Sequence, residues 1–290
     1  MLKALIKTMR PRQWVTKNIF IFAALVFDKQ LFIVESFLRT LAGFALFCLI
    51  SSSVYIFNDL ADVEADRQHP EKKNRPIASG RLPVSVAWAA GILLTVITLT
   101  IGYLLAPSFG YVIGLYFLLN LAYSKWLKHI AILDVLIISA GFVLRVGAGV
   151  TLIEVERFSP WLYVVMTLLS LFLGFGKRRA ELALLAQGAG SHRKVLDGYT
   201  LPLLDRYIMI VSGTTIVAYS LYTFSAPNLP DNHSMMLTIP FVVYTIFRYL
   251  YLIEVKHAGG APEDIVLSDR PFQIAMLLWA TAVLAIFYLS

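Results

Sequence analysis

Between Phe57 and Gly80 the sequence reads FNDLADVEADRQHPEKKNRPIASG, which spaces Asn58, Asp59, Asp62 and Asp66 as NDxxDxxxD. Residues three, four and seven apart share one face of a helix, so the three aspartates line a stripe, with Asn58 at its edge and Glu64 pointing elsewhere. Carboxylates crowded on a stripe repel one another, and at a helix carboxyl end they also oppose the macrodipole, so something positive must offset them. The plain reading balances them with Arg67, Lys72 and Lys73 on a solvated face. At the rim of a membrane span, uncompensated charge is costly and tends to mark function. Hard oxygen donors of this kind suit Mg²⁺, which takes one or two carboxylates and fills its shell with substrate phosphates and water. The spacing therefore predicts a Mg²⁺–diphosphate site with Asn58, Asp59, Asp62 and Asp66 as ligands. Arg67, Lys72, Lys73 and Arg75 would bind the phosphate oxygens that the metal leaves free.

The elements that must position this motif are apolar. Of 290 residues, 58% are hydrophobic and 15% charged, against about 25% charged in a soluble domain, and the mean hydropathy is +0.73. An all-α, polytopic membrane protein follows, since a helix needs about 20 apolar residues to cross the hydrocarbon core. Nine candidate spans can be read, at roughly 18–34, 37–57, 84–105, 108–124, 130–152, 160–176, 207–225, 235–253 and 271–289. None alternates apolar and polar residues as a barrel strand does. The first is too long for a signal-peptide core and reads as retained. The whole chain is expected to form one membrane-embedded bundle, with two longer charged loops at about 58–83 and 177–206.

Lys and Arg cluster before the first span and after every even-numbered one, which predicts a cytoplasmic amino terminus, an extracytoplasmic carboxyl terminus and an acidic motif facing the cytoplasm of a cell (inner) membrane protein. The net charge of +7 is explained by those loops. Anionic lipid or phosphate substrates, and no nucleic acid, are the expected partners. Cys48 is the single cysteine, which excludes an internal disulfide or a thiolate metal site. The five histidines are scattered and offer no convincing general base.

Together the nine spans, the NDxxDxxxD motif after the second, and the segment Tyr123, Ser124, Lys125, Trp126, Leu127, Lys128 after the fourth resemble the UbiA superfamily of intramembrane transferases over essentially the whole chain. The resemblance implies a helical bundle around a central cavity in which metal-bound diphosphate is the leaving group. Most members of that family carry a second aspartate-rich motif after the sixth span. Here the corresponding stretch is FGKRRAELALL, with Lys177, Arg178 and Arg179 ahead of Glu181. One carboxylate among three cations suits a further phosphate better than a second metal.

RPRQW at 10–14, the acidic motif, GKRRAEL at 176–182 and PEDIVLSDR at 262–270 in combination resemble the branch of phosphoribosyltransferases acting on decaprenyl phosphate. One departure is Lys17, three residues after Trp14, where the family usually has Lys-Asn two residues after the tryptophan. That resemblance implies transfer of 5-phosphoribosyl from 5-phosphoribosyl-1-diphosphate to a polyprenyl phosphate, for arabinose precursors of the cell envelope. It also implies substrate contacts from Lys17, Tyr123, Lys125, Lys128, Lys177, Arg178 and Glu181. For Tyr123, Lys125 and Lys128 the plainer roles are interfacial belt and positive-inside anchors. For Glu263, Asp264, Asp269 and Arg270, which form the last inside loop, a helix cap before the ninth span stands beside a lid over the donor. Rival functions are a prenyltransferase acting on an aromatic or quinone-precursor acceptor, and a lipid or small-molecule transporter.

Overall fold

The structure is a computed structural model that describes residues 1–70, 72–155, 159–186, 193–227, 229–256, 265 and 268–289. Every regular element among the described residues is helical. Pro begins several helices, at positions where its missing N–H is no loss. The residue ahead of a proline is pushed to extended geometry, and Ala106 (φ −160°, ψ 124°) accordingly separates Val84–Leu105 (α6) from Pro107–Lys125 (α7) with a single residue. Gly110 lets the two helices approach, because a Cβ at that position would lie 2.7 Å from the Tyr103 Cα.

One compact unit comprises residues 1–128 and 144–156. It contains Leu2–Met9 (α1), Pro11–Asn18 (α2), the short Ala23–Phe27 (α3), the 28-residue Val34–Ala61 (α4), Val63–Gln68 (α5), α6, α7, and the end of Leu133–Val150 (α8). The long α4 is the spine, touched by α1, α2, α6 and α7. Ile21, Phe47, Ile50, Phe109, Ile113 and Tyr116 form its main apolar core. A second cluster of Ile56, Leu60, Ile77, Leu82 and Ala87 holds the 72–83 connection against the charged end of α4.

The other unit comprises residues 129–143 and 157–290 and includes the start of α8, Pro160–Ala186 (α9), Leu201–Ser225 (α10), Ile239–Glu254 (α11) and Arg270–Leu289 (α12). In it α9 packs on α10 and α11 on α12, around Phe172, Phe175, Leu204, Ile208 and Tyr249. Asp269 caps α12, accepting the Phe272 amide at 2.8 Å and both Nε and Nη2 of Arg248. Of the four residues of that loop, Asp269 is the one that supplies a cap; Glu263 and Asp264 lie outside the described residues.

Among the described residues seven helices are long and apolar enough to cross a membrane, so the expected count of nine is not reached on length and apolarity. The stretch anticipated as a first span at 18–34 is instead interrupted: a 3-10 turn at Ile19–Phe22 joins α2 to α3, and the apolar helical run covers only Thr16–Phe27. The 19-residue α7 carries Asn120 and three tyrosines. The charged segment after the sixth span is also not a loop at its start, because α9 continues as helix to Ala186 and carries Lys177, Arg178, Arg179 and Glu181 with it.

Candidate active site

The acidic motif lies where α4 ends and α5 begins. Asp62, at φ −97° and ψ 7°, is the joint between them, and its amide donates to the Asn58 carbonyl at 3.0 Å while its own carbonyl accepts from the Asp66 amide at 2.8 Å. The stripe is therefore carried by two short-circuited helices rather than one continuous helix. Each acid is matched by a cation. Arg10 Nη2 donates to Asp59 Oδ1 at 2.5 Å, and the Arg10 guanidinium lies over the Tyr55 ring. Arg75 Nη1 bridges two carboxylates, reaching Asp59 Oδ1 at 3.1 Å and Asp66 Oδ2 at 2.7 Å. Lys128 Nζ donates to Asp62 Oδ1 at 2.9 Å. Ser124 Oγ donates to Asn58 Oδ1 at 2.5 Å. Asp59 and Asp66 are each 3% exposed, whereas the Asp62 side chain is 32% exposed. Burying two carboxylates so fully is tolerable only because charge-assisted bonds take up their lone pairs.

The predicted residues divide on this geometry. Asn58, Asp59, Asp62, Asp66, Arg75 and Lys128 come together. Arg67 turns away to Glu64 at 2.8 Å, an exposed pair on the outer face of α5. Lys73 is exposed, and Lys72 is half-buried with its amide donated to His69 Nδ1. Lys125 is exposed and lies over the Trp126 ring at 4.7 Å, as an interfacial anchor does. Tyr123 and Lys17 are half-buried near the ends of α7 and α2. Arg10 and Ser124 were not predicted as site residues. Both stood in quoted motifs, RPRQW and the 123–128 segment, but only tertiary packing reveals which acid or amide each one meets.

In the second unit Arg178 is 2% exposed and Asp134 0%. Arg178 Nε donates to Asp134 Oδ2 at 2.6 Å and Nη1 to Glu181 Oε2 at 2.7 Å, while Arg193 approaches the other Glu181 oxygen at 3.5 Å. Tyr199 donates its hydroxyl to Asp134 Oδ1 at 2.7 Å and accepts the Ile132 amide at 2.6 Å. Burial above all, and then that bond to a carboxylate, push the Tyr199 phenol well above its ordinary range. Ile132 sits at φ +71°. Arg179 pairs with Asp205, and Lys177 is half-buried. The sequence had presented Lys177, Arg178 and Arg179 as a cradle of cations with one acid. The structure turns Arg178 and Arg179 toward carboxylates, which satisfy the donors of a guanidinium taken out of water and offset its charge, and Asp134 is the one the local sequence did not disclose.

Among the described residues no three carboxylate, imidazole or thiolate side chains converge as a ready metal shell. The donor chemistry of the first cluster nonetheless fits Mg²⁺: three carboxylates and an amide oxygen, all hard, within nine residues of chain. In this structure Arg10, Arg75 and Lys128 engage one oxygen of each carboxylate, and Ser124 the amide oxygen. A metal would compete with fixed cations for them.

Comparison with known proteins adds independent findings. Residues 18–262 match the model of the UbiA prenyltransferase family. The chain is 36% identical to a decaprenyl-phosphate phosphoribosyltransferase of Mycolicibacterium smegmatis, over 100% of this chain and 94% of that protein. It is 34% identical to one of Corynebacterium glutamicum, over 98% and 87%. In fold it is similar to a UbiA homolog from Archaeoglobus fulgidus bound to GPP and Mg²⁺, with a TM-score of 0.74 at 17% identity over 98% of this chain and 99% of that one. With the acidic helix end, the all-helical membrane architecture and a family match over most of its length, the chain belongs to the UbiA prenyltransferase family.

Proposed function

We propose that this protein transfers 5-phosphoribosyl from 5-phosphoribosyl-1-diphosphate to a polyprenyl phosphate of decaprenyl type, releasing diphosphate, in the supply of arabinose precursors for the cell envelope. The feature that carries the choice of donor is the GKRRAEL stretch of α9, which adds Lys177 and has Glu181 as its single carboxylate, in place of the second aspartate-rich motif that most members of the family carry. The names borne by relatives of about the same length support the same reading. The acidic end of α4 is read as facing the cytoplasm, with the amino terminus inside and the carboxyl terminus outside.

In this reading Asp59, Asp62, Asp66 and Asn58 would hold Mg²⁺, which when bound supplies charge neutralisation for the departing diphosphate. The chain's own residues do the rest. Three acids and three cations leave the cluster of Asp59, Asp62, Asp66, Arg10, Arg75 and Lys128 close to neutral. Bound Mg²⁺ would offset part of the donor's negative charge and the fixed cations more of it, so metal and donor should bind more favourably together than either alone. Arg10, Arg75 and Lys128 then exchange carboxylate oxygens for diphosphate oxygens. By charge, Lys177 is read as a ligand of the donor's other phosphate, and Lys17, Lys72, Lys73 and Tyr123 as further contacts to anionic substrate. The bond from ribose C1 to diphosphate breaks as the bond from C1 to an oxygen of the lipid phosphate forms, with charge development at C1 opposed by the fixed field of the site. The lipid phosphate is already anionic, so no side chain needs to remove a proton.

The test is to offer purified protein a mixture of polyprenyl phosphates together with phosphoribosyl diphosphate and prenyl diphosphates, and to identify the lipid product by mass spectrometry. A phosphoribosylated polyprenyl phosphate supports the reading. A prenylated acceptor, with no phosphoribosylated lipid, overturns it.

A further inference from the structure

α2 runs antiparallel to α4 and meets it at two polar points. At one end Arg10 binds Asp59. At the other Asn18, 0% exposed, donates from Nδ2 to Ser51 Oγ and to Cys48 Sγ, at 3.3 Å each. Arg10 and Asn18 are eight residues apart, and so are Ser51 and Asp59. Both intervals correspond to about 12 Å of helical rise, so the two contacts form one register between the helices. A slip of one residue would displace the Arg10 end by about 1.5 Å and turn it by roughly 100°, which is enough to part guanidinium and carboxylate.

The Asn18 contact is locked from a third helix. Arg145, 6% exposed, donates from Nε to Asn18 Oδ1 at 2.8 Å and from Nη2 to the Tyr116 hydroxyl at 2.9 Å. Its guanidinium lies over the rings of Tyr116 and Phe47, at 4.9 and 5.5 Å. One turn further along α8, Gly149 admits the Ile21 carbonyl so closely that a Cβ would stand 2.0 Å from its oxygen. A guanidinium in the interior of a span is costly, and a neutral side chain of similar reach could fill the same volume. What arginine adds is a planar fork that serves Asn18 and Tyr116 together.

We propose that Arg145 is a positioning residue: by fixing Asn18 it sets the register of α2 on α4 and so delivers Arg10 to Asp59 and to the donor's diphosphate. The part concerning the donor rests on the function proposed above. The positioning itself does not.

Cys48 is the chain's single cysteine and lies beneath Asn18, so its reactivity reports whether that anchor is seated. The labelling rate of Cys48 by N-ethylmaleimide in membranes, and KM for phosphoribosyl diphosphate on the folded, detergent-purified fraction, are to be measured for Arg145→Gln, Arg10→Gln and the double variant. Arg145→Gln is expected to speed labelling about tenfold by local opening. It is also expected to raise KM by the same factor as Arg10→Gln, with no further rise in the double variant, because the two residues act along one line. Labelling at the wild-type rate, or a KM penalty that multiplies that of Arg10→Gln, would overturn the proposal. Should Arg145→Gln fail to accumulate, Asn18→Ala removes the same anchor from the other side, and a wild-type KM in that variant has the same adverse force. The labelling needs no substrate, so an error in the donor leaves it intact, whereas unchanged labelling defeats the positioning role whatever the donor is.

Discussion

Asp62 differs from its two neighbours in being open to solvent while theirs are shut in, and the consequences of removing each acid differ accordingly. Asp62→Asn should lower kcat by at least about 100-fold, from lost electrostatic stabilisation of the leaving group, and leave the melting temperature in detergent near that of the wild type. Asp59→Asn should lose activity to a similar degree and also stability, on the order of 1–3 kcal/mol, since Arg10 and Arg75 then lose a charged acceptor inside the protein. Radiolabelled lipid formation and thermal unfolding of the same preparations separate the two effects. The acids themselves were legible in the sequence, because spacing along a helix is a local property. Their partners were not. Arg10 and Lys128 reach Asp59 and Asp62 across 49 and 66 residues of chain, and a distribution of Lys and Arg over cytoplasmic loops looks the same whether they anchor lipid or hold a carboxylate.

At the scale of the element, the long spans could be read from apolarity alone, but their ends could not. The sixth was expected to stop at 176 because charge begins there, yet KRRAELALLA contains no glycine or proline to stop a helix and is made of good helix formers, so α9 runs on. The first span failed for the opposite reason: its residues are apolar enough, and the interruption at Ile19–Phe22 accompanies the buried contacts of Asn18 with α4 and α8, which are tertiary. The glycines of α8 show the same limit. Spacing does not distinguish Gly149, where a Cβ would meet the Ile21 carbonyl, from Gly147, where a Cβ would have nothing within 4 Å. Gly149→Ala should therefore destabilise the protein by about 1–3 kcal/mol, and Gly147→Ala should leave the unfolding temperature unchanged or raised.

The cap of α12 responds to acid. Hydrogen bonds from Arg248 foremost, with the Phe272 amide adding, hold the Asp269 carboxyl below its ordinary value of 3.8. A lowered folded-state value means that the stabilisation is present above the unfolded value and fades as pH falls through the folded one. Asp269→Asn should accordingly melt below the wild type near neutrality, with the gap closing as the pH falls below 3.8.

For the molecule as a whole, the distribution of basic residues makes a claim about sidedness that labelling can check. In a Cys48→Ser background, a cysteine at Ser79 should react with a membrane-impermeant maleimide only in inverted vesicles, and one at Asp231 only in right-side-out cells; both positions are exposed. The opposite pattern would place the acidic cluster outside. Fold class was legible at this scale because the bilayer permits few ways to satisfy a backbone. The feature least visible from composition is a single torsion. A β-branched residue at φ +71° is a strained choice, costing about 1–2 kcal/mol relative to glycine, and at Ile132 the amide is tied to the Tyr199 hydroxyl, itself bound to Asp134. Ile132→Gly is thus a promising substitution for anyone seeking a sturdier preparation: it should relax the backbone while leaving that chain of hydrogen bonds in place, and a higher unfolding temperature would show it.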